Sequence, residues 1–90
     1  MNKKTAKQLE QHFKGAANHY RINILLLIAR HPQISLEQIV EDLDGNTKTI
    51  SEHTRRLVAA GLVNKHYKGR NVEHTLSPYG EKFFHFITNF

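Results

Sequence analysis

The side chains with the most chemical potential lie between Asn46 and Arg56. Thr47, Lys48, Thr49, Ser51 and Glu52 are followed by Arg55 and Arg56. On a helical wheel of ~100° per residue, Ile50, Thr54, Leu57, Val58 and Thr47 share one side and are expected to pack inward. Lys48, Glu52, Arg55 and Ala59 share the other, flanked by Thr49, Ser51 and Arg56. Short polar side chains in the first half let a helix sit deep in the major groove of a nucleic-acid duplex. Arginines further along reach phosphates, or guanine edges in bidentate geometry. The helix N-terminus adds the positive end of a dipole. Glu52 is discordant on such a face, because it either accepts from cytosine N4 or repels phosphate. An ordinary solvated helix carries a similar face, so its surroundings have to decide.

A second basic group, Lys68-Gly69-Arg70, lies in a turn. Such a tip adds salt-sensitive contacts to a phosphate backbone, although any hairpin also needs a soluble turn. The net charge of +5 is unevenly spread. Residues 1–30 carry +5, residues 31–44 carry −4, residues 45–76 carry +4 and the remainder balances. An acidic segment thus separates two basic ones, a distribution that suits a polyanionic partner.

The elements that position these groups follow from periodicity. Residues 5–14 read as an amphipathic first helix with Leu9 and Phe13 on one side, its end weakened by Gly15. Asn18 or His19 opens a second helix that runs to about Arg30. It is apolar almost all round, which predicts the most buried position, and Pro32 ends it. Ser35 and Gln38 form a capping-box pattern for a third helix bearing Leu36, Ile39, Val40 and Leu43. Asp44-Gly45-Asn46 is a turn. Asn46 or Thr47 caps a fourth helix that runs to Ala60, with Gly61 as its stop. Two short helices across a tight turn make a helix-turn-helix, here about residues 35–60. The period then changes to two. Val63, Lys65 and Tyr67 precede the basic turn, and Val72, His74 and Leu76 follow it. Pairing Tyr67 with Val72 would set Val63, Tyr67, Val72 and Leu76 over the helices. Ser77-Pro78 restarts a helix that holds Tyr79, Phe83, Phe84, Phe86, Ile87 and Phe90.

Composition narrows the function classes. A chain of 90 residues closes one core, so residues 1–90 are expected to form one domain. The absence of cysteine excludes disulfides, thiolate metal sites and cysteine nucleophiles. No apolar run is long enough to span a bilayer, and no secretory signal follows the N-terminal lysines. The expected compartment is the cytoplasm. No nucleophile constellation, phosphate-cradling glycine loop or paired carboxylate suggests an enzyme.

The order helix-turn-helix, hairpin, helix is that of a winged helix. The stretch TISEHTRRLVAAGLVNKHYKGRNVEHTLSPYGEKFF resembles the core of ArsR/SmtB-type winged-helix regulators. Ser51-Glu52-His53-Thr54, Leu57 and Ala60-Gly61-Leu62-Val63 occupy the places of that family's recognition helix and its exit. HYRINILLLIARHP resembles its buried helix. LSPYGEKFF resembles its passage from wing to last helix, a pattern shared with MarR-like regulators. The resemblance covers nearly the whole chain. It implies a mainly α winged helix-turn-helix of about five helices, with a small β-hairpin as a two-stranded wing near residues 62–76.

It also implies double-stranded DNA as partner. The candidate contacts are Asn46, Thr47, Lys48, Thr49, Ser51, Glu52, Arg55 and Arg56 on the helix, with Lys68, Gly69 and Arg70 on the wing. Thr54 replaces a usual leucine. His53 matches a family position but borders the core, so a buried, hydrogen-bonded role is expected for it. The family often senses metals, through cysteines on the third helix or His/Asp/Glu clusters on the last. Here only Glu81 and His85 offer such ligands, and two are too few. No metal or cofactor is therefore expected, and the effector stays open. The family dimerises through its first and last helices. A homodimer built on Leu9, Phe13, Phe83, Phe86, Ile87 and Phe90, with a last helix near residues 78–90, follows from the resemblance. The functional expectation is a sequence-specific transcription regulator that represses by occluding its operator. The alternatives are a winged helix that binds proteins, or one that binds RNA.

Overall fold

The apolar run at residues 24–29 lies in the central helix of the computed structural model, which describes residues 3–90. Helix α1 (Ala6–Ala16) and helix α2 (His19–Arg30) are followed by a short strand, β1 (Ile34–Ser35). Then come α3 (Leu36–Asp42), α4 (Thr47–Ala59), β2 (Val63–Lys68), β3 (Asn71–Leu76) and α5 (Pro78–Thr88). Ile24, Leu25 and Ile28 of α2 are buried against Ile39 of α3, Ile50 and Leu57 of α4, and Leu62 and Val63 beyond it. The expected five helices and hairpin are present. β1 joins them on the outer side of β3, giving an antiparallel sheet of order β1-β3-β2. Two residues are too few for a period-two pattern, so β1 left no signal in the sequence.

Helix ends follow local chemistry. Asn18 caps α2 by accepting from the backbone N–H groups of Tyr20 and Arg21. Ser35 accepts from Gln38 N, but the Gln38 side chain donates to Asp42 instead of returning to Ser35. The reciprocal capping box lies instead at Thr5 and Gln8. α1 extends through Gly15 to Ala16, because Gly15 sits where a Cβ would collide with Ala60. Glycine there permits the close crossing of α1 and α4. α4 ends in a Schellman motif: Leu62 N donates to Leu57 O, Gly61 N donates to Val58 O, and Gly61 adopts φ +76°.

The hairpin has the expected register, with Tyr67 opposite Val72 and His66 opposite Glu73. Gly69 takes φ +62° while Arg70 stays at negative φ, as a two-residue II′ turn requires. Tyr67 departs from expectation. It is 77% exposed, because the hairpin projects beyond the helices and its distal end has nothing to cover. His74 lies deeper on the same strand face. It is buried and donates from Nδ1 to Ile34 O across 3.0 Å, pinning β1.

Burial, opposed by the bond to Ile34, pushes the His74 imidazole below its ordinary value. The fold therefore favours neutral His74. Its contribution is full above the ordinary histidine value near 6.5 and is lost as pH falls through the lower folded value. The Tm is expected to fall between about pH 7.5 and about pH 5, and His74→Gln should flatten that slope. Equal slopes in thermal melts of both proteins would contradict this.

Candidate nucleic-acid interface

α4 is anchored by its inward face. Ile50 and Leu57 are buried, and Thr54 is 1% exposed. Thr54 satisfies its hydroxyl by donating to Ile50 O at 2.7 Å, which accounts for a threonine where leucine is usual. Thr47, expected inward, is exposed. As the first helical residue it projects from the turn and does not lie over the core.

The remaining candidates then fall as follows. Asn46, Lys48 and Thr49 are exposed, and Ser51 and Glu52 are half-buried. Asn46 is the N-cap, and its Oδ1 accepts from Lys48 N at 2.9 Å and Thr49 N at 3.2 Å. Its side-chain oxygen is thus committed to holding the helix start. The turn before it is tight, with Asp44 at φ 49° and Gly45 N bonded to Val40 O. A Cβ on Gly45 would press into Ile50, so glycine lets α3 and α4 meet at this angle. At the hairpin tip Lys68, Gly69 and Arg70 are all exposed.

Arg55 and Arg56 are exposed but not independent. Glu52 accepts from Arg55 Nε at 3.0 Å and Arg55 Nη2 at 2.7 Å, and from Arg56 Nε at 3.3 Å. The hydrogen bond from Arg55 is the main influence holding the Glu52 carboxyl down at about 2. The discordant acid of the sequence is therefore the anchor of two arginines, and it leaves the trio with a net positive charge.

Sequence reasoning missed the neighbours of these arginines. α1 and α2 bring Lys14 and Arg21 to the same cleft as Arg55 and Arg56. Arg21 was visible as the arginine that opens the buried helix, but its relation to α4 needed the fold. His53 also differs from expectation. It stacks on Tyr20 with ring centroids 5.5 Å apart, and its buried Nδ1 has no hydrogen-bond partner among the described residues. Burial, reinforced by Arg21 and Arg56, pushes its imidazole downward. The aromatic contact takes the place of the expected hydrogen bond.

Among the described residues no group of three His, Cys, Asp or Glu side chains is placed to hold a metal ion. Among those residues no helix is long and apolar enough to cross a membrane.

The α5 stripe divides. Phe83 and Ile87 pack against the core with Phe84. Phe86 is 59% exposed and Phe90 is 99% exposed. Phe13 of α1 is 56% exposed and meets Phe83 edge-on at 5.1 Å. Leu9, Phe13, Tyr79, Phe83 and Phe86 line a groove of about 700 Å³ between α1 and α5.

The arginine clamp carries a pH signature. Because its folded value is depressed, Glu52 stays ionised through the ordinary carboxylate range, and the clamp weakens only as pH falls toward about 2. Carbon-detected NMR should place the Glu52 midpoint well below its ordinary value of 4.5. Arg55→Ala with Arg56→Ala should return it toward its ordinary value of 4.5. A Glu52 midpoint unmoved by that double substitution would refute the clamp.

Comparison with known proteins identifies the fold and the family. The family profile described as "Bacterial regulatory protein, arsR family" matches residues 19–65, more than half of the chain. No curated protein matches it. HlyU from Vibrio cholerae superposes with a TM-score of 0.86 at 22% identity, covering 98% of this chain and 96% of that one. The homodimeric winged helix-turn-helix DNA-binding domain of Mb0332 from Mycobacterium bovis, a possible ArsR-family transcriptional regulator, superposes at 0.83 with 22% identity, covering 98% and 87%. The transcriptional repressor PagR of Bacillus anthracis gives 0.82 at 17% identity over 90% and 93%. At these identities the structural likeness establishes the winged helix-turn-helix fold, and the profile establishes kinship: the chain belongs to the bacterial arsR family of regulatory proteins, which are regulators and not enzymes.

Proposed function

We propose that this winged helix acts as a homodimeric, sequence-specific DNA-binding transcription regulator that represses by occupying its operator in the cytoplasm. The observation that carries the reading is the exposed start of α4. Thr47, Lys48, Thr49 and Ser51 form a surface of short hydrogen-bonding side chains and one cation, held on a buried inward face. In helix-turn-helix docking the N-terminal residues of the second helix meet base edges. Those four residues are assigned to the bases. Arg55 and Arg56 lie two turns further on and are assigned to backbone phosphates, with Lys68 and Arg70 of the wing. Asn46 supports the helix start, Glu52 orders the arginines, and Gly69 shapes the turn.

A second copy is placed on the α1–α5 face. Phe13, Phe86 and Phe90 leave large apolar surface in water beside the groove that Leu9 and Phe83 line, and an apolar patch of this kind marks an interface. Ile87 supports the face from below. A twofold pair would present two α4 helices to an inverted repeat with half-sites about 34 Å apart.

Fluorescence anisotropy with the duplex upstream of the chain's own gene tests the DNA reading. Lys48→Ala with Thr49→Ala should relax sequence preference at a cost of about 1–3 kcal/mol. Arg55→Ala with Arg56→Ala should weaken all sequences and leave thermal unfolding nearly unchanged. Undiminished retention of DNA by both variants, or stronger retention of RNA than of DNA, would defeat the assignment. Sedimentation tests the pairing. Phe13→Glu with Phe86→Glu should yield monomers with an unaltered far-ultraviolet spectrum, and a persisting dimer would refute the α1–α5 interface.

A further inference from the structure

The cleft between α1 and α4 gathers four cations. Its cations come from three helices: Lys14 from α1, Arg21 from the first turn of α2, and Arg55 and Arg56 from α4. Its volume is about 400 Å³. Gly15, Ala59 and Ala60 line the same cleft without adding charge. Among the described residues no carboxylate lines it. The acids that touch its cations hold them from outside, Glu10 on Lys14 at 2.8 Å and Glu52 on the two arginines.

Arg21 is the least satisfied of the four. One terminal nitrogen reaches Lys14 O at 3.5 Å. Its Nε is buried and has no hydrogen-bond partner among the described residues. A buried, unsatisfied guanidinium nitrogen is uncommon and calls for an explanation. The four like charges also repel one another. An oxyanion seated among them would offset that repulsion and offer the acceptors that guanidinium groups match best.

We propose that this cleft is a phosphate-binding seat, with Lys14 and Arg21 as ligands alongside Arg55 and Arg56. The inference deepens the reading of α4 given above and rests on it for one of two sources of phosphate. A backbone phosphodiester of bound DNA and a free phosphate group offer the same chemistry. Lys14 and Arg21 stand outside the helix-turn-helix and the wing, so the seat extends the basic surface onto α1 and α2.

Inorganic phosphate is the first probe. It is titrated into the ¹⁵N-labelled full chain against chloride at matched ionic strength. Saturable shifts are expected at Gly15, at Ala59 and Ala60, and at the Arg21 side-chain Nε. Lys14→Gln with Arg21→Gln should weaken the isotherm about tenfold or more, since each lost charged hydrogen bond counts heavily. Lys14→Gln alone, at an exposed position that carries no packing, should weaken it about threefold and guards against misfolding in the double variant. Absent saturation, or saturation unaffected by Lys14→Gln, overturns the seat.

Duplex DNA is the second probe. If the source is the DNA backbone, the double variant should reduce the salt dependence of duplex binding by about one to two ions, equally for every sequence. An unchanged salt dependence beside an intact phosphate isotherm assigns the seat to free phosphate. The two readings fail separately. Phosphate saturation without any duplex binding would remove the DNA function and keep the seat. Duplex binding that depends on Lys48, without phosphate saturation, would remove the seat and keep the function.

Discussion

The rotation of α4 about its own axis is the constraint on which the surface depends. Ile50, Thr54 and Leu57 recur at helical spacing and are all buried, so the helix cannot turn without exposing apolar side chains. Burying a leucine or isoleucine contributes roughly 1.5–3 kcal/mol, which is a large share of a small domain's net stability. α2 supplies the opposing surface through Ile24, Leu25 and Ile28. Once that contact is made, Lys48, Thr49 and Arg55 are left on the exposed side of the helix. Thr54 makes the arrangement possible with a polar residue, because its hydroxyl returns to Ile50 O and leaves no orphaned donor.

Electrostatics then differentiates the two ends of that outward face. The start of α4 carries one lysine, neutral side chains and the N-terminal dipole, with no acid in its first turn. The later half carries two arginines restrained by a carboxylate. Exposed ion pairs add little to stability. The consequence of this one is geometric: Glu52 narrows the range of guanidinium positions before any partner arrives. A phosphate at the site proposed above would compete with Glu52 for the same nitrogens, so the clamp would temper affinity while favouring one orientation. Four of the eight acidic residues, Glu37, Glu41, Asp42 and Asp44, are gathered in α3 and the tight turn that Gly45 permits.

Much of this was legible in the residues, and the gaps have physical causes. Most helix spans, the stop at Gly61, the hairpin register and the burial of Ile50, Thr54 and Leu57, though not of Thr47, follow from periodicity and turn chemistry, which are local. β1 was not legible, since its two residues are defined only by pairing with Glu73 and His74. Tyr67 was misplaced because alternation tells which strand face a residue occupies, not how far the helices extend beneath it. The structural role of Glu52 was hidden for a related reason. Spacing placed it near Arg55 and Arg56, but whether it meets solvent, DNA or those arginines depends on rotamers. The approach of Lys14 and Arg21 to α4 depends on the crossing of α1, which Gly15 and Ala60 permit by close contact.

That crossing also ties together parts of the molecule with separate tasks. His12 donates from Nδ1 to Ala60 O at 2.6 Å, capping a carbonyl at the end of α4. The same ring stacks on Tyr79 of α5 with centroids 4.7 Å apart, and Lys4 lies over the other partner of that stack at 4.4 Å. Gly61, the residue that stops α4, accepts from the Ser77 hydroxyl that caps α5. Gly80 closes the joint, because only a residue without Cβ fits against Leu62 O. The end of α4 is therefore bonded to both α1 and α5, the two helices that border the apolar groove. Packed interiors pass displacement along instead of absorbing it. The His12–Ala60 bond thus links the position of α1 to the end of the helix whose first turn carries Lys48 and Thr49.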